Sequence, residues 1–126
     1  METFGPLKIL VVDDDEFVLS ALADFLEMIG HHPLPLRDSR EAIRLFDKKE
    51  DDFDLLITDI CMPGINGLQL IRKVRETNSQ LPIIVITGYA ENEDLEQIAH
   101  LKVPVFTKPV NLSKLAVHLS HPSSEA

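Results

Sequence analysis

Four apolar runs in this chain end on residues whose side chains could bind or accept a phosphoryl group. Asp13 and Asp14 follow the first run, and Asp59 follows the second. Thr87 follows the third run, and Lys108 follows the fourth. If these runs are parallel strands of one sheet, their C-terminal ends lie along the same edge, where open α/β sheets bind ligands. Three carboxylates, a hydroxyl and an ammonium group would then converge in one crevice.

The three carboxylates predict both a metal ion and a nucleophile. Asp13, Asp14 and Asp59 would repel one another, so the crevice should attract a hard cation. Carboxylates with carbonyls and water suit Mg²⁺, which usually also contacts a phosphate. One carboxylate could attack phosphorus and form an acyl phosphate. Lys108 could neutralise one phosphoryl oxygen and Thr87 could hydrogen-bond another, so the residue types predict phosphoryl transfer to Asp59.

The elements that must position these residues follow from hydrophobic periodicity. Apolar runs of strand length alternate five times with stretches of helical period, and the predicted strands are residues 8–12, 32–36, 54–58, 82–86 and 104–107. The first, third and fourth are continuous runs of leucine and β-branched residues, typical of strands that are buried on both faces. An amphipathic helix is predicted after each strand, and Gly30 is predicted to end the first helix.

Two prolines predict the order of the strands. The missing N–H groups of Pro33 and Pro35 fall on the same side of the second strand, and a central strand could not lose two ladder donors. The second strand is therefore predicted at an edge, and right-handed crossovers favour the order 2-1-3-4-5. The predicted fold is α/β, a flavodoxin-like, doubly wound, five-stranded parallel sheet with helices on both faces.

Composition limits the classes of function. A chain of 126 residues with a net charge of −9 suits one globular domain, and its charge disfavours direct binding to nucleic acid or to an anionic membrane. The lone cysteine, Cys61, excludes an internal disulfide and any CxxC site. No apolar stretch approaches the ~20 residues that span a bilayer, and residues 1–6 lack the features of a signal peptide. A cytoplasmic location is therefore predicted.

The motifs resemble the receiver domain of bacterial response regulators over nearly the whole chain, from Lys8 to about Leu119. The matching elements, in order, are Val11-Val12-Asp13-Asp14-Asp15, Ile57-Thr58-Asp59, Met62-Pro63, Asn66-Gly67, Thr87-Gly88 and Lys108-Pro109. The resemblance implies a receiver domain at residues 7–119. The residues that follow, 120–126, are predicted to be a disordered tail or the start of a linker. It also implies a cis bond between Lys108 and Pro109.

The resemblance also implies a function in two-component, or phosphorelay, signalling. Asp59 would take a phosphoryl group from a histidine kinase or a histidine phosphotransfer protein. Asp13, Asp14 and Asp59 would bind Mg²⁺, with the backbone carbonyl of Cys61 as a further ligand. The domain would then be a switch that promotes its own phosphorylation and dephosphorylation, rather than an enzyme with an external substrate.

The expected output surface runs from the fourth strand to the fifth helix. It would contact an output domain or a partner protein, as a monomer or as a phosphorylation-dependent dimer. A stand-alone receiver and the N-terminal domain of a longer protein both remain open. In the family, the position three before the lysine is often Tyr or Phe, but here it is Val105 and the aromatic residue is Phe106. Phe106 is predicted to lie in the core, and Tyr89 is the predicted substitute for the usual aromatic switch.

Other interpretations explain fewer of these residues. Asp15 is predicted to cap the first helix rather than to bind a metal. A phosphohydrolase of the haloacid dehalogenase type would need a second aspartate two residues after the nucleophile, where this chain has Cys61. A flavin site would need a phosphate-binding loop after the first strand, where three aspartates would repel the phosphate. The remaining alternative is a pseudo-receiver, a pure interaction module, although such domains usually lose a site residue.

The histidines show no spacing typical of a metal site, and all are predicted to lie at the surface. They are His31, His32, His100, His118 and His121.

Overall fold

Five parallel strands alternate with five helices in the part of the chain that the computed structural model describes, residues 5–48, 52–62, 64, 66–88 and 92–120. The elements in chain order are β1 (Lys8–Val12), α1 (Glu16–Met28), β2 (His32–Leu36), α2 (Ser39–Lys48), β3 (Leu55–Asp59), α3 (Gly67–Thr77), β4 (Ile83–Thr87), α4 (Asn92–Leu101), β5 (Val105–Thr107) and α5 (Leu112–Ser120). The strands lie in the order β2-β1-β3-β4-β5, and every neighbouring pair is parallel. The predicted flavodoxin-like topology is confirmed.

Two strands end one residue later than predicted. Asp59 and Thr87 are the last residues of β3 and β4, whereas the predicted strands stop at 58 and 86. Asp59 pairs with Ile86 and Thr87 pairs with Thr107 in the sheet. A polar residue after an apolar run predicts the end of the strand. The backbone of such a residue can still form hydrogen bonds to the neighbouring strand, and the strand then includes it.

The edge position of β2 follows from its hydrogen bonds. The N–H of His32 donates to the carbonyl of Leu7 at 2.9 Å, and the carbonyl of Leu36 accepts from Asp13 N–H at 3.1 Å. Residues 32 and 36 therefore turn their polar backbone groups toward β1. Because this direction alternates along a strand, the nitrogens of Pro33 and Pro35 lie on the outer side of the sheet. The prediction from the two prolines is confirmed.

The core has two layers, one on each face of the sheet. Leu10 and Leu56 belong to the layer covered by α2, α3 and α4, while Ile9 and Ile57 belong to the layer covered by α1 and α5. All four side chains are fully buried. Burial of each such side chain contributes roughly 1.5–3 kcal/mol, so the two layers hold the central strands and the residues at their ends in place.

The first helix begins and ends as predicted. The Asp15 carboxylate accepts the N–H groups of Phe17 at 2.9 Å and Val18 at 3.3 Å, which makes Asp15 the N-cap of α1. After the last residues of the helix, Gly30 adopts a φ of 99°, a conformation that glycine enters without steric cost. The Asp15 cap fixes the direction in which the chain leaves the edge of the sheet that carries Asp13, and Gly30 lies where the chain turns from α1 to β2.

The prediction that all histidines lie at the surface is confirmed for His32 and His100, which are exposed, and holds only in part for His31 and His118, which are half-buried. His31 Nδ1 accepts the N–H of Leu7 at 3.0 Å, and burial lowers the pKa of His31 below its ordinary 6.5, with the neighbouring His32 adding to the effect. The ring of His118 packs edge-on against Phe106. Neither contact could be read from spacing along the chain. His121 lies outside the described residues.

The helices formed by the described residues are all too short or too polar to cross a membrane. Of the predicted tail at 120–126, Ser120 is the last residue of α5, and the other residues lie outside the described part.

Candidate functional site

The carboxyl ends of β1, β3, β4 and β5 bring the predicted site residues together. Asp13 and Asp14 follow β1, Asp59 and Thr87 end β3 and β4, and Lys108 follows β5. Carboxylate oxygens of Asp13, Asp14 and Asp59 lie within 4.8 Å of one another. The side chains of Asp13 and Asp59 are buried, and that of Asp14 is half-buried.

The ammonium group of Lys108 joins two of these carboxylates. Its Nζ lies 2.9 Å from Asp59 Oδ2 and 3.0 Å from Asp13 Oδ2. Burial alone would lower the pKa of Lys108, but the interactions with Asp59 and Asp13 outweigh it, so the pKa is raised above its ordinary value. Burial is also the largest influence on Asp13, and its pKa is raised despite the Asp15 N–H and Lys108, which favour the ionised form. Lys108 is thus held as a fixed cation between the two carboxylates.

Backbone N–H groups fix the orientation of the Asp59 side chain. Its Oδ1 accepts the N–H of Ile60 at 2.7 Å and the N–H of Cys61 at 3.3 Å. At the carboxyl end of the neighbouring strand β1, Asp13 Oδ1 accepts the N–H of Asp15 at 2.8 Å. Each carboxylate therefore has one oxygen held by the loop that follows its strand, and Lys108 binds the other oxygen. The two carboxylates are oriented before any ligand arrives.

Thr87 brings a hydroxyl group that lacks a partner. Its Oγ1 is buried and makes no hydrogen bond within the described part of the chain. A buried polar group without a partner costs about 1–3 kcal/mol. A ligand oxygen at the mouth of the site would offset this cost, so Thr87 is suited to binding an anionic group there.

Two glycines of the site motifs have roles that spacing did not reveal. A Cβ atom on Gly67 would overlap the carbonyl oxygen of Asp59 and come within 2.8 Å of Ile60 Cα. The N–H of Gly67 also donates to the Ile60 carbonyl at 2.9 Å, which ties the start of α3 to the backbone behind Asp59. The motif Asn66-Gly67 was the only signal in the sequence, and it gave no reason for the glycine.

Gly88 makes room for the stem of Lys108. A Cβ atom on Gly88 would lie 3.1 Å from Lys108 Cδ and 3.4 Å from its Cβ. The bond between Lys108 and Pro109 is cis, as the resemblance implies. The stem of Lys108 therefore packs against Gly88, directly after the end of β4. From there its ammonium group reaches the carboxylates of Asp13 and Asp59.

The strand that precedes Lys108 carries Val105 and Phe106 on opposite faces. Val105 is 41% exposed, whereas Phe106 is half-buried, packs against the layer covered by α1 and α5, and lies 6.0 Å from the ring of His118. Phe106 therefore contacts the core, as predicted. Tyr89, the predicted substitute for the usual aromatic switch, lies outside the described residues.

The chain matches a family model and several known proteins. The model described as the response regulator receiver domain matches residues 9–120. The transcriptional regulatory protein CpxR of Escherichia coli strain K12 is 34% identical over 115 residues, which cover 89% of this chain and 47% of CpxR. A cyclic di-GMP phosphodiesterase of Thermotoga maritima is 24% identical over 116 residues, which cover 91% of this chain and 30% of that protein. The chain therefore spans less than half the length of these two relatives.

A solved structure shows the same architecture. The crystal structure of a response regulator receiver protein from Pseudomonas putida is 33% identical and has a TM-score of 0.81, covering 92% of this chain and 97% of that chain. The likeness therefore extends over nearly the whole of both chains.

Proposed function

The chain belongs to the response regulator receiver domain family, and we propose from this premise that Asp59 accepts a phosphoryl group from a histidine kinase or a histidine phosphotransfer protein. The observation that carries the proposal is the ammonium group of Lys108, held 2.9 Å from Asp59 Oδ2 and 3.0 Å from Asp13 Oδ2. A cation in this position would neutralise charge on a phosphoryl group attached to Asp59.

The donor groups fit a divalent cation. Carboxylate oxygens of three aspartates lie within 4.8 Å of one another, and Lys108 balances one of the three negative charges. When all three carboxylates are ionised, the site therefore has a net charge of −2, which a divalent cation would neutralise. Oxygen ligands of this kind favour Mg²⁺. Asp13, Asp14 and Asp59 would hold the ion, with the carbonyl of Cys61 as a further ligand. When bound, Mg²⁺ would neutralise charge on the phosphoryl oxygens during transfer.

The side chains of the site would divide the reaction between them. The Asp59 carboxylate attacks the phosphorus of a phosphohistidine, and a bond forms between an Asp59 oxygen and phosphorus. The bond between phosphorus and the histidine nitrogen breaks, and its electron pair stays on the imidazole. Lys108 then binds a phosphoryl oxygen, and the Thr87 hydroxyl donates to another. Loss of the phosphoryl group to water would return the site to its starting state, so the domain is proposed as a switch rather than as an enzyme.

The response to phosphorylation would pass through Thr87 and the loop that follows it. The Thr87 hydroxyl has no hydrogen-bond partner within the described part of the chain, and a phosphoryl oxygen would supply one. This bond would draw the end of β4 toward the site. Val105 on β5 and Val117 on α5 are large apolar residues with 41% and 62% exposure. The surface from β4 to α5 is thus proposed as the contact with an output domain, a partner or a second copy. A cytoplasmic location is proposed with it.

The test is phosphorylation by a small acyl phosphate in the presence of Mg²⁺, followed by intact-mass measurement. We expect the native protein to gain one phosphoryl group and the Asp59→Asn variant to gain none. Asp54→Asn is a matched control, since Asp54 is a carboxylate outside the site whose Oδ2 accepts the N–H of Lys8. It should gain the group as the native protein does.

Two outcomes would contradict the proposal. A gain in Asp59→Asn equal to that of the native protein would place the acceptor elsewhere. No gain in the native protein, with Mg²⁺ binding still detectable by calorimetry, would favour a pseudo-receiver that acts only through protein contacts.

A further inference from the structure

A cavity of about 510 Å³ lies at the end of the sheet opposite the candidate site. Its lining includes Leu55 and Ile83, the first residues of β3 and β4, and Leu119 in the last turn of α5. This volume lies within the range of about 300–1,000 Å³ typical of small-molecule sites. The cavity is separate from the Asp59 site, because it lies at the amino ends of the strands.

One wall of the cavity carries a buried guanidinium nitrogen without a partner. Arg75, in the last turn of α3, lines the cavity, and its Nε is buried and makes no hydrogen bond among the described residues. A buried donor left without an acceptor costs about 1–3 kcal/mol, and more for a charged group. An acceptor supplied by a ligand would remove this cost.

A second cation occupies a backbone position that favours glycine. Lys102 follows the last residue of α4 with a φ of 55° and also lines the cavity. Helices often end on glycine in this conformation, which costs other residues roughly 1–2 kcal/mol. The lysine therefore adds positive charge to the lining at some cost to the backbone.

The charge of the lining is opposite to that of the whole chain. The described lining residues include two cations, Arg75 and Lys102, and one carboxylate, Asp54. The Oδ2 atom of Asp54 accepts the N–H of Lys8 at 2.8 Å. The protein as a whole has a net charge of −9. A locally basic cavity with apolar walls would bind an anion that also carries an apolar group.

We propose that this cavity binds a small organic anion, an apolar body that carries one carboxylate or sulfonate group. Arg75 and Lys102 bind the anionic group. The apolar side chains of Leu81, Val103 and Leu119 contact the body. The proposal does not depend on phosphorylation of Asp59.

The test is titration of the ¹⁵N-labelled chain of 126 residues with 1-naphthaleneacetate, followed by NMR. We expect saturable shifts of the amide signals of Leu81, Val103 and Leu119. The uncharged analogue 1-naphthaleneacetamide has the same ring system, and we expect it to bind at least about tenfold more weakly, the equivalent of roughly 1.4 kcal/mol. Equal affinity for the two compounds, or no saturable shift at these residues, would overturn the proposal.

Variants separate the two cations from charge in general. Arg75→Met and Lys102→Gly should each weaken binding of 1-naphthaleneacetate about tenfold, whereas Lys73→Met, on the same helix as Arg75 but outside this cavity, should leave it unchanged. Lys102→Gly relieves the backbone conformation, so it tests the proposal even if Arg75→Met unfolds. Native affinity in Lys102→Gly, or an equal loss in Lys73→Met, would refute the assigned roles.

Discussion

Replacement of Gly67 by alanine would test how tightly α3 is joined to the backbone behind Asp59. The new methyl group would overlap the carbonyl oxygen of Asp59 and approach Ile60 Cα to 2.8 Å, so one of the two segments must move. Forcing a methylene into a packed site costs about 1–3 kcal/mol. Loss of the hydrogen bond from Gly67 to Ile60 would cost about 0.5–1.5 kcal/mol. The higher helix propensity of alanine is worth about 0.8–1 kcal/mol in a helix interior and less here, because Gly67 is the first residue of α3. We expect a net loss of about 2 kcal/mol in the free energy of unfolding.

The assay is urea unfolding of the native protein beside Gly67→Ala and Gly30→Ala. A loss of this size would also lower the midpoint of thermal unfolding by about 6–12 °C in a domain of this length. Gly30→Ala is a matched control, because Gly30 has a φ of 99° but no atom within 4 Å of a Cβ placed there. It should lose stability through backbone strain alone, far from Asp59.

Amide signals distinguish the two variants. The N–H groups of Ile60 and Cys61 bind Asp59 Oδ1, so their NMR signals report the position of that carboxylate. We expect both signals to shift in Gly67→Ala and to stay in place in Gly30→Ala. Native stability in Gly67→Ala, with unshifted signals of Ile60 and Cys61, would refute the argument from the overlap.

Three further perturbations have definite expected results. The pKa of His31 is lowered in the folded protein, so the unfolded chain binds a proton more readily. Urea unfolding should therefore show that the native protein exceeds His31→Asn in free energy of unfolding by a constant amount above about pH 6.5. The difference should decrease as the pH falls below that value. Gly88→Val should push the Lys108 stem away from Asp59 and slow acyl-phosphate labelling of Asp59 about tenfold or more, measured by timed intact-mass spectra. Gly88→Ala should slow labelling much less, because the Lys108 stem needs to move by only a few tenths of an ångström to fit the smaller side chain. Asp15→Ala should remove the N-cap of α1 and cost about 1 kcal/mol in urea unfolding, most of which Asp15→Asn should restore.

Each of these results has an outcome that contradicts its reasoning. A constant difference between native protein and His31→Asn from pH 7.5 to pH 5 would show that His31 does not titrate differently in the two states. Equal labelling rates for Gly88→Val and Gly88→Ala would show that the lysine stem is not confined. Equal losses in Asp15→Ala and Asp15→Asn would assign the cost to charge near the helix terminus rather than to the cap.

The sheet and the members of the site could be predicted because their signals are local and follow simple rules. Pro33 and Pro35 placed β2 at an edge, and the alternation of apolar runs with helical stretches placed Asp59, Thr87 and Lys108 at neighbouring strand ends. Parallel topology then brings these ends together whatever the details of packing. No contact between distant residues had to be known.

The remaining features depend on contacts between segments that are distant in the sequence or on the exact path of the backbone. The burial of His31 follows from the position of Leu7, 24 residues away. The need for glycine at position 67 arises from the approach of α3 to Asp59, and Gly88 is constrained by a lysine that follows another strand. Residue types along the chain contain no signal for such distances, so the structure was needed to find them.

The prolines of β2 also bear on how the molecule can associate with others. An added strand would pair with the outer side of β2, where Pro33 and Pro35 offer carbonyl oxygens but no N–H donors. The opposite edge, β5, is only three residues long. Neither edge can template an intermolecular β-sheet of useful length, which protects this sheet from edge-to-edge aggregation. Partners, including a second copy, must therefore recognise side chains on the helical and loop surfaces rather than the backbone of the sheet.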